Sequence, residues 1–373
     1  SITLLATAFG TNPAIAGSQP ALWVEFGAQS DQLVGTADRF ELPFDGAIPA
    51  NGITGPLNAG PDLASGFAGE GKLTFRPDGA DWVFSASVTY GRSTGKGKIS
   101  QREPLPTTAF ATYQTSVVGL SFPYFNKHLK PAQLTANTIS GETASSESHT
   151  ILDFSAGKDV GLGMFGSGST SVFSAGVRFA NFTSRLDVTG VEGALDNDFK
   201  KSYNTTHPVS YWSWFHTKAS ETWRTVSGSA KMSHTFKGIG PSLSWDASVP
   251  LLGQDERRGV ATLDWGINAA LLFGKQKIKE QHQSASAYNC YGPICNAQHV
   301  QYAPQSGHSS RSRNVTVPNL GGFVGASYRA GGFKASIGYR ADWFFGVFDS
   351  GLGASHKADR GYFGPFASIG VGL

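Results

Sequence analysis

Nine histidines and two cysteines are the residues of this 373-residue chain whose types most readily suggest chemistry. Cys290 and Cys295 lie close together in Asn289-Cys-Tyr-Gly-Pro-Ile-Cys-Asn296. In an exported protein such a pair reads first as a disulfide within a loop. A metal site recruiting His282 or His299 is the weaker reading, because this spacing alone says little, and no metal is expected. His149, His207, His216, His282, His299, His308 and His356 fall in loops or near strand ends without paired spacing, so they are expected to be solvated. Gly161-Leu-Gly-Met-Phe-Gly166 fits the dinucleotide fingerprint, but that motif needs a helix after it, and a turn and a strand come next instead. No G-x-S-x-G segment is present to serve as a hydrolase elbow. The chain is therefore expected to be neither an enzyme nor the holder of a cofactor.

A second set of candidates is defined by parity. In Phe333-Lys-Ala-Ser-Ile-Gly-Tyr-Arg-Ala-Asp-Trp-Phe-Phe-Gly-Val347 one face carries Phe333, Ala335, Ile337, Tyr339, Ala341, Trp343, Phe345 and Val347. The other carries Lys334, Ser336, Gly338, Arg340 and Asp342. Extended over the chain, this alternation places Glu25, Glu70, Lys72, Arg76, Asp153, Asp159, Arg178, Asp246, Asp264, Lys334, Arg340 and Asp342 on the polar face. Charges of both signs lining a lumen could filter solutes. They could equally pair with one another and fill a narrow barrel.

Period-two alternation occurs in soluble sandwiches and in membrane barrels alike. Three features favour the barrel. Rows such as Ile239, Pro241, Leu243, Trp245, Ala247, Val249 and Leu251 are too long for an ordinary globular strand. Aromatics cluster towards strand ends, as interfacial girdles require. Short and long connections alternate strictly, which matches periplasmic turns and extracellular loops. Composition agrees: charged residues make up 15%, against about a quarter in soluble domains. Mean hydropathy is only -0.17, and no window is apolar enough for a spanning helix. The formal charge of +3 is too near balance to suggest nucleic acid.

The expected fold is therefore all-β: a transmembrane antiparallel up-and-down β-barrel in the bacterial outer membrane, taken as one domain over residues 1–373. Its strands are predicted at 21–30, 67–76, 82–92, 149–160, 171–186, 235–251, 260–279, 314–329, 333–348 and 362–373. Residues 113–122 alternate as well, and an extra hairpin there would raise ten strands to twelve. Ser1–Ala8 and Ala14-Ile-Ala-Gly17 have the apolar character of a signal peptide without a basic segment before them, and are read as mature chain.

Phe236-Lys-Gly-Ile-Gly-Pro241, Leu251-Leu-Gly253 and Ala269-Ala-Leu-Leu-Phe-Gly274 resemble the Legionella-type major outer membrane protein (pore-forming) family. Leu152-Asp-Phe-Ser-Ala-Gly-Lys-Asp-Val160 and the closing strand look similar too, although Leu373 ends the chain where such barrels usually have an aromatic. The resemblance covers about a third of the chain and implies a barrel that passes small solutes. Passive diffusion of ions or small solutes is thus the expected function, and a closed barrel acting as surface scaffold, adhesin or envelope anchor is the alternative.

One feature points to a partner. The outward row Leu263, Trp265, Ile267, Ala269, Leu271 and Phe273 continues in the same parity as Lys275, Lys277 and Lys279. With Lys237 on the adjoining strand, these lysines either bind lipopolysaccharide at the outer leaflet or belong to a solvated strand extension above the membrane. An apolar strand face suits lipid or a second copy equally, so a homo-oligomer or a loop partner stays open.

Overall fold

Ten strands whose side chains alternate in and out, each hydrogen-bonded to two neighbours, build a wall with no free edge. The computed structural model describes residues 21–35, 38–40, 57–59, 65–78, 81–103, 137–160, 170–199, 220–253, 259–291, 298–301, 305–349 and 357–373. The wall consists of β1 (Ala21–Gly35), β4 (Ser65–Arg76), β5 (Trp82–Glu103), β6 (Asn137–Asp159), β7 (Thr170–Phe199), β8 (Ser220–Leu252), β9 (Val260–Tyr291), β11 (Gln305–Ala330), β12 (Phe333–Asp349) and β13 (Lys357–Gly372). The short β2 (Asp38–Phe40) and β3 (Leu57–Ala59) pair with each other, and β10 (Gln298–Gln301) pairs with the end of β9. Every pairing is antiparallel; β13 meets β1 and β8 meets β9, which closes the ring.

The wall is a membrane surface on its outside. Phe26, Leu243, Ile267, Ile337 and Ile369 all point outward, and Ile337 is 67% exposed. Soluble monomers rarely expose apolar patches beyond a few hundred Å², yet here the apolar rows run around the barrel. With each wall strand paired on both sides among the described residues, lipid is the solvent that suits this face. The chain is an outer-membrane β-barrel.

Both ends of the wall, Ala21 and Gly372, lie on the side of the short connections, the periplasmic side. The tightest turn joins Ala330 to Phe333 through Gly331 and Gly332, whose φ values of 55° and 79° are the left-handed pair that a two-residue hairpin demands. All ten predicted strands are present. Their extracellular ends run further than predicted: β8 has 33 residues, whereas about 9–11 suffice to cross a bilayer. Above the lipid both faces turn polar, so the hydropathy contrast fades while the hydrogen-bond ladder goes on. Much of what reads as loop is strand. The segment 113–122 lies outside the described residues.

One register assignment fails. Val347 is predicted outward but is fully buried in the lumen. A bulge between Phe344 and Phe348 supplies the reason: with Gly346 at φ 64°, Val347 turns inward beside Phe348, which alternation already places inside.

Candidate functional site

The lumen is filled in two layers. In the periplasmic half the predicted charges point inward and meet. Arg178 lies within β7 opposite Asp153 of β6, and its guanidinium donates two hydrogen bonds to that carboxylate, at 2.7 and 3.1 Å. Its third arm donates to Asn268 of β9 at 2.9 Å and to Asn319 of β11, so one side chain ties four strands together. Arg340 donates to Glu70 across the barrel at 2.6 Å, and Lys334 reaches Glu25 at 3.2 Å. Asp264 accepts from the hydroxyls of Ser248 at 2.6 Å, Thr262 at 2.8 Å and Ser327. Lys72 lies within electrostatic reach of Asp246, Glu25 and Glu70, and Asp342 within reach of Arg340 and Arg178. Arg76 and Asp159 lie 3.9 Å from each other at the wetter periplasmic end, where Asp159 also accepts from the Ser171 N–H at 3.3 Å.

Glycines make room for these heads. A β-carbon on Gly321 would come within 2.0 Å of the Asp342 carboxylate, and one on Gly266 within 2.4 Å of Asp246. The twelve predicted lumen residues comprise seven carboxylates and five cations, and most of them are engaged. That is the behaviour of a filled interior. A small cavity of about 10 Å³ remains beside Glu70 and Arg340, lined also by Gly27, Ala68, Thr89 and Phe366. It is barely the size of one water.

The extracellular half was not anticipated from the sequence. Above Arg340 and Asp342 the lumen holds an apolar plug: Leu33, Ile151, Phe182, Phe236, Leu272, Val317, Phe344, Val347, Phe348 and Tyr362, with Ala180, Ala270 and Ala358. Every wall strand except β4 and β5 contributes to it. Phe182 is central, with ring centroids 4.6 Å from Phe344, 6.0 Å from Tyr362, 6.2 Å from Phe236 and 6.5 Å from Phe348. On the β4–β5 side the His149 ring fills the gap, packed against Tyr362 at 4.2 Å and facing Gly91.

The plug also explains a Gly-rich motif. Gly238 and Gly274 are cross-strand partners, and β-carbons there would fall 2.4 and 2.7 Å from the Phe236 ring. The ring therefore lies over two glycines, which is why Phe236-Lys-Gly and Phe273-Gly occur where they do.

Polar clamps lock the plug from above. Arg360, fully buried, donates from Nε to Glu147 at 2.8 Å, lies over the Phe348 ring at 5.1 Å, and shares Glu147 with the Ser184 hydroxyl. Arg311 donates to Asp349 at 2.8 and 3.1 Å. Gln276 accepts from Arg313 at 2.9 Å and donates to the Gly346 carbonyl at 2.6 Å, while the Gly346 N–H donates to Asp359 at 2.6 Å, fixing the bulge.

The expectation of solvated histidines fails for His149, which is buried in the lumen 3.9 Å from Asp31. Its inward parity, opposite Gly91 and Phe182, outweighs its closeness to the strand's outer end. His234, also buried, has neither ring nitrogen hydrogen-bonded among the described residues. His308 is exposed as expected. The plug did leave a trace in the sequence: Trp343-Phe344-Phe345 breaks the alternation, and Phe182 and Phe236 fall on inward parity.

Outside, Tyr339 faces lipid and Trp343 packs on the outer wall over Gly361 and Val34. Lys237, Lys275, Lys277 and Lys279 are all exposed on the outer face of β8 and β9. The Cys290 side chain and the whole of Cys295 lie outside the described residues, as does the motif from Gly161 to Gly166. Among the described residues no group of acids, histidines and cysteines is arranged to hold a metal.

No family model and no curated protein matches this chain. Among solved structures it is similar to the outer membrane protease OmpT from Escherichia coli, at 10% identity and TM-score 0.37, covering 97% of this chain and 99% of that one. It is also similar to the translocator domain of the autotransporter NalP from Neisseria meningitidis, at 9% identity and TM-score 0.27, over 94% and 88% of the two chains. Pseudomonas putida OprB matches at 8% identity and TM-score 0.21, over 95% and 94%. These scores are low, and the outer-membrane assignment stands on the barrel's own lipid-facing band and closed hydrogen-bond ladder.

Proposed function

We propose that this barrel is a closed, non-catalytic outer-membrane scaffold that raises the β7–β8–β9 wall and the connections above it beyond the bilayer. One observation carries the reading: a cross-section of the lumen is occupied by Phe182, Phe236, Leu272, Phe344, Phe348 and Tyr362, each no more than 5% exposed. Protein interiors packed in this way approach the density of organic crystals, which supports a closed lumen over an open one. The disproportion of the wall supports the same reading, since β7, β8 and β9 have 30, 33 and 32 residues against 12 in β4 and 17 in β12.

A diffusion pore is the second reading, favoured by the family resemblance and by the charged periplasmic half of the lumen. It requires the plug to move. Single-channel recording in planar bilayers separates the two. The scaffold reading expects the wild type to be silent and Phe344→Ala or Phe348→Ala to admit brief conductance steps. Stable wild-type channels would replace the scaffold with the pore.

A further inference from the structure

The two faces of β9 divide sharply above the membrane. Inward, Gln276, Ile278 and Glu280 are buried. Outward, Lys275, Lys277 and Lys279 are exposed and continue the row of Ile267, Leu271 and Phe273 without a break. Lys237 of β8 stands directly opposite Lys275. The flanking partners are neutral throughout: Asn181 beside Lys237, Asn314 beside Lys275, Thr235 and Ser312 beside Lys277, Ser233 and Ser310 beside Lys279. Among the described residues none of the four lysines faces an acid across a strand pair.

Like charges directly opposite in a ladder repel, so the Lys237–Lys275 pair is unfavourable unless an anion lies against it. The height of the pair is set as well. Lys275 is one outward step above Phe273, about 5 Å once the strand tilt is allowed for. The pair therefore lies in the head-group zone, continuous with the lipid-facing band. An ammonium there meets the phosphates of the outer leaflet where water is partly excluded, and such charge-assisted bonds are strongest in that setting.

We propose that Lys237, Lys275, Lys277 and Lys279 form a lipopolysaccharide site that holds the lipid A phosphates against the outer wall of β8 and β9. The occupant is a phosphorylated glycolipid because the apolar row below the lysines takes acyl chains while the lysines take charge. A free anion would use only the second half of the site. The proposal is independent of whether the lumen conducts.

The test uses folded, delipidated protein in detergent, with purified lipopolysaccharide, lipid A stripped of its phosphates, and inorganic phosphate as separate probes. Bound lipid is read by native mass spectrometry and by the rise in unfolding temperature. Wild type should bind lipopolysaccharide and gain stability, and replacing all four lysines with arginine should preserve both. Replacing all four with glutamine should lower binding on the order of tenfold or more, since one charged contact is worth about that factor. The Lys275→Gln/Lys277→Gln pair serves if the fourfold variant does not fold, and should show a smaller loss of the same kind. Wild-type binding by a folded glutamine variant would overturn the proposal. Equal binding of the stripped lipid, or an equal thermal gain from inorganic phosphate, would overturn it too.

Discussion

The two layers of the lumen fill the same cylinder by opposite means. The periplasmic layer uses paired charges that keep some contact with water: Arg340 and Glu70 are each 23% exposed, and Lys334 and Glu25 are 17% and 21%. The extracellular layer uses aromatic rings clamped by a buried ion pair in which Arg360 is 0% and Glu147 4% exposed. Ion pairs near water are worth little and are easily replaced, whereas a buried pair that loses one partner leaves an uncompensated charge. The plug should therefore carry the barrel's resistance to unfolding, and the charged layer should mainly set the electrostatics of its periplasmic mouth.

The strongest way to break this contrast is to remove the clamp or the central ring. Arg360→Ala strands Glu147 in a dry site and should destabilise the barrel by about 3–5 kcal/mol. Phe182→Ala, which empties the middle of the plug, should cost about the same. Urea unfolding followed by heat-modifiable gel mobility measures both. If either variant unfolds like wild type, the plug is not what holds the barrel.

Arg178→Met is the matching change in the lower layer. Arg178 serves Asp153, Asn268 and Asn319, and the loss should be about 1–3 kcal/mol, partly recovered because water can reach Asp153. A loss equal to that of Arg360→Ala would erase the distinction between the layers. Gly238→Ala sharpens it from another side. The added methyl falls 2.4 Å from the Phe236 ring, and overpacking of this kind should cost about 1–3 kcal/mol. Combining it with Phe236→Leu should restore part of that loss, because the ring is what the methyl strikes.

The smallest effect is expected at Cys290 and Cys295. Replacing both with serine should change barrel stability by less than about 0.5 kcal/mol, since a bond between them would close a loop of only a few residues. Intact mass before and after alkylation tests the proposed bond directly, and two free thiols in protein freshly extracted from outer membranes would exclude it.

Alternation, the length of its apolar rows, the aromatics at strand ends and the alternating short and long connections were together enough to determine the barrel in this chain. Hydrophobic alternation is a local property written along each strand, and lipid on one side keeps it unbroken over rows such as Ile337, Tyr339 and Ala341. The same parity placed Arg178, Arg340 and Asp342 inside and Lys275 outside. What it could not say was which inward residues meet. Arg340 and Glu70 are 270 residues apart in the chain, and Arg360 and Glu147 are 213 apart; only closure of the ring brings them together. The plug escaped for a related reason. Its side chains come a few at a time from separate strands, so no one stretch of sequence looks like a core. The bulge at Gly346 that turns Val347 inward is held by Gln276 and Asp359 from other strands. Face is decided by neighbours along the chain. Whether the lumen is open or filled is decided by neighbours across it.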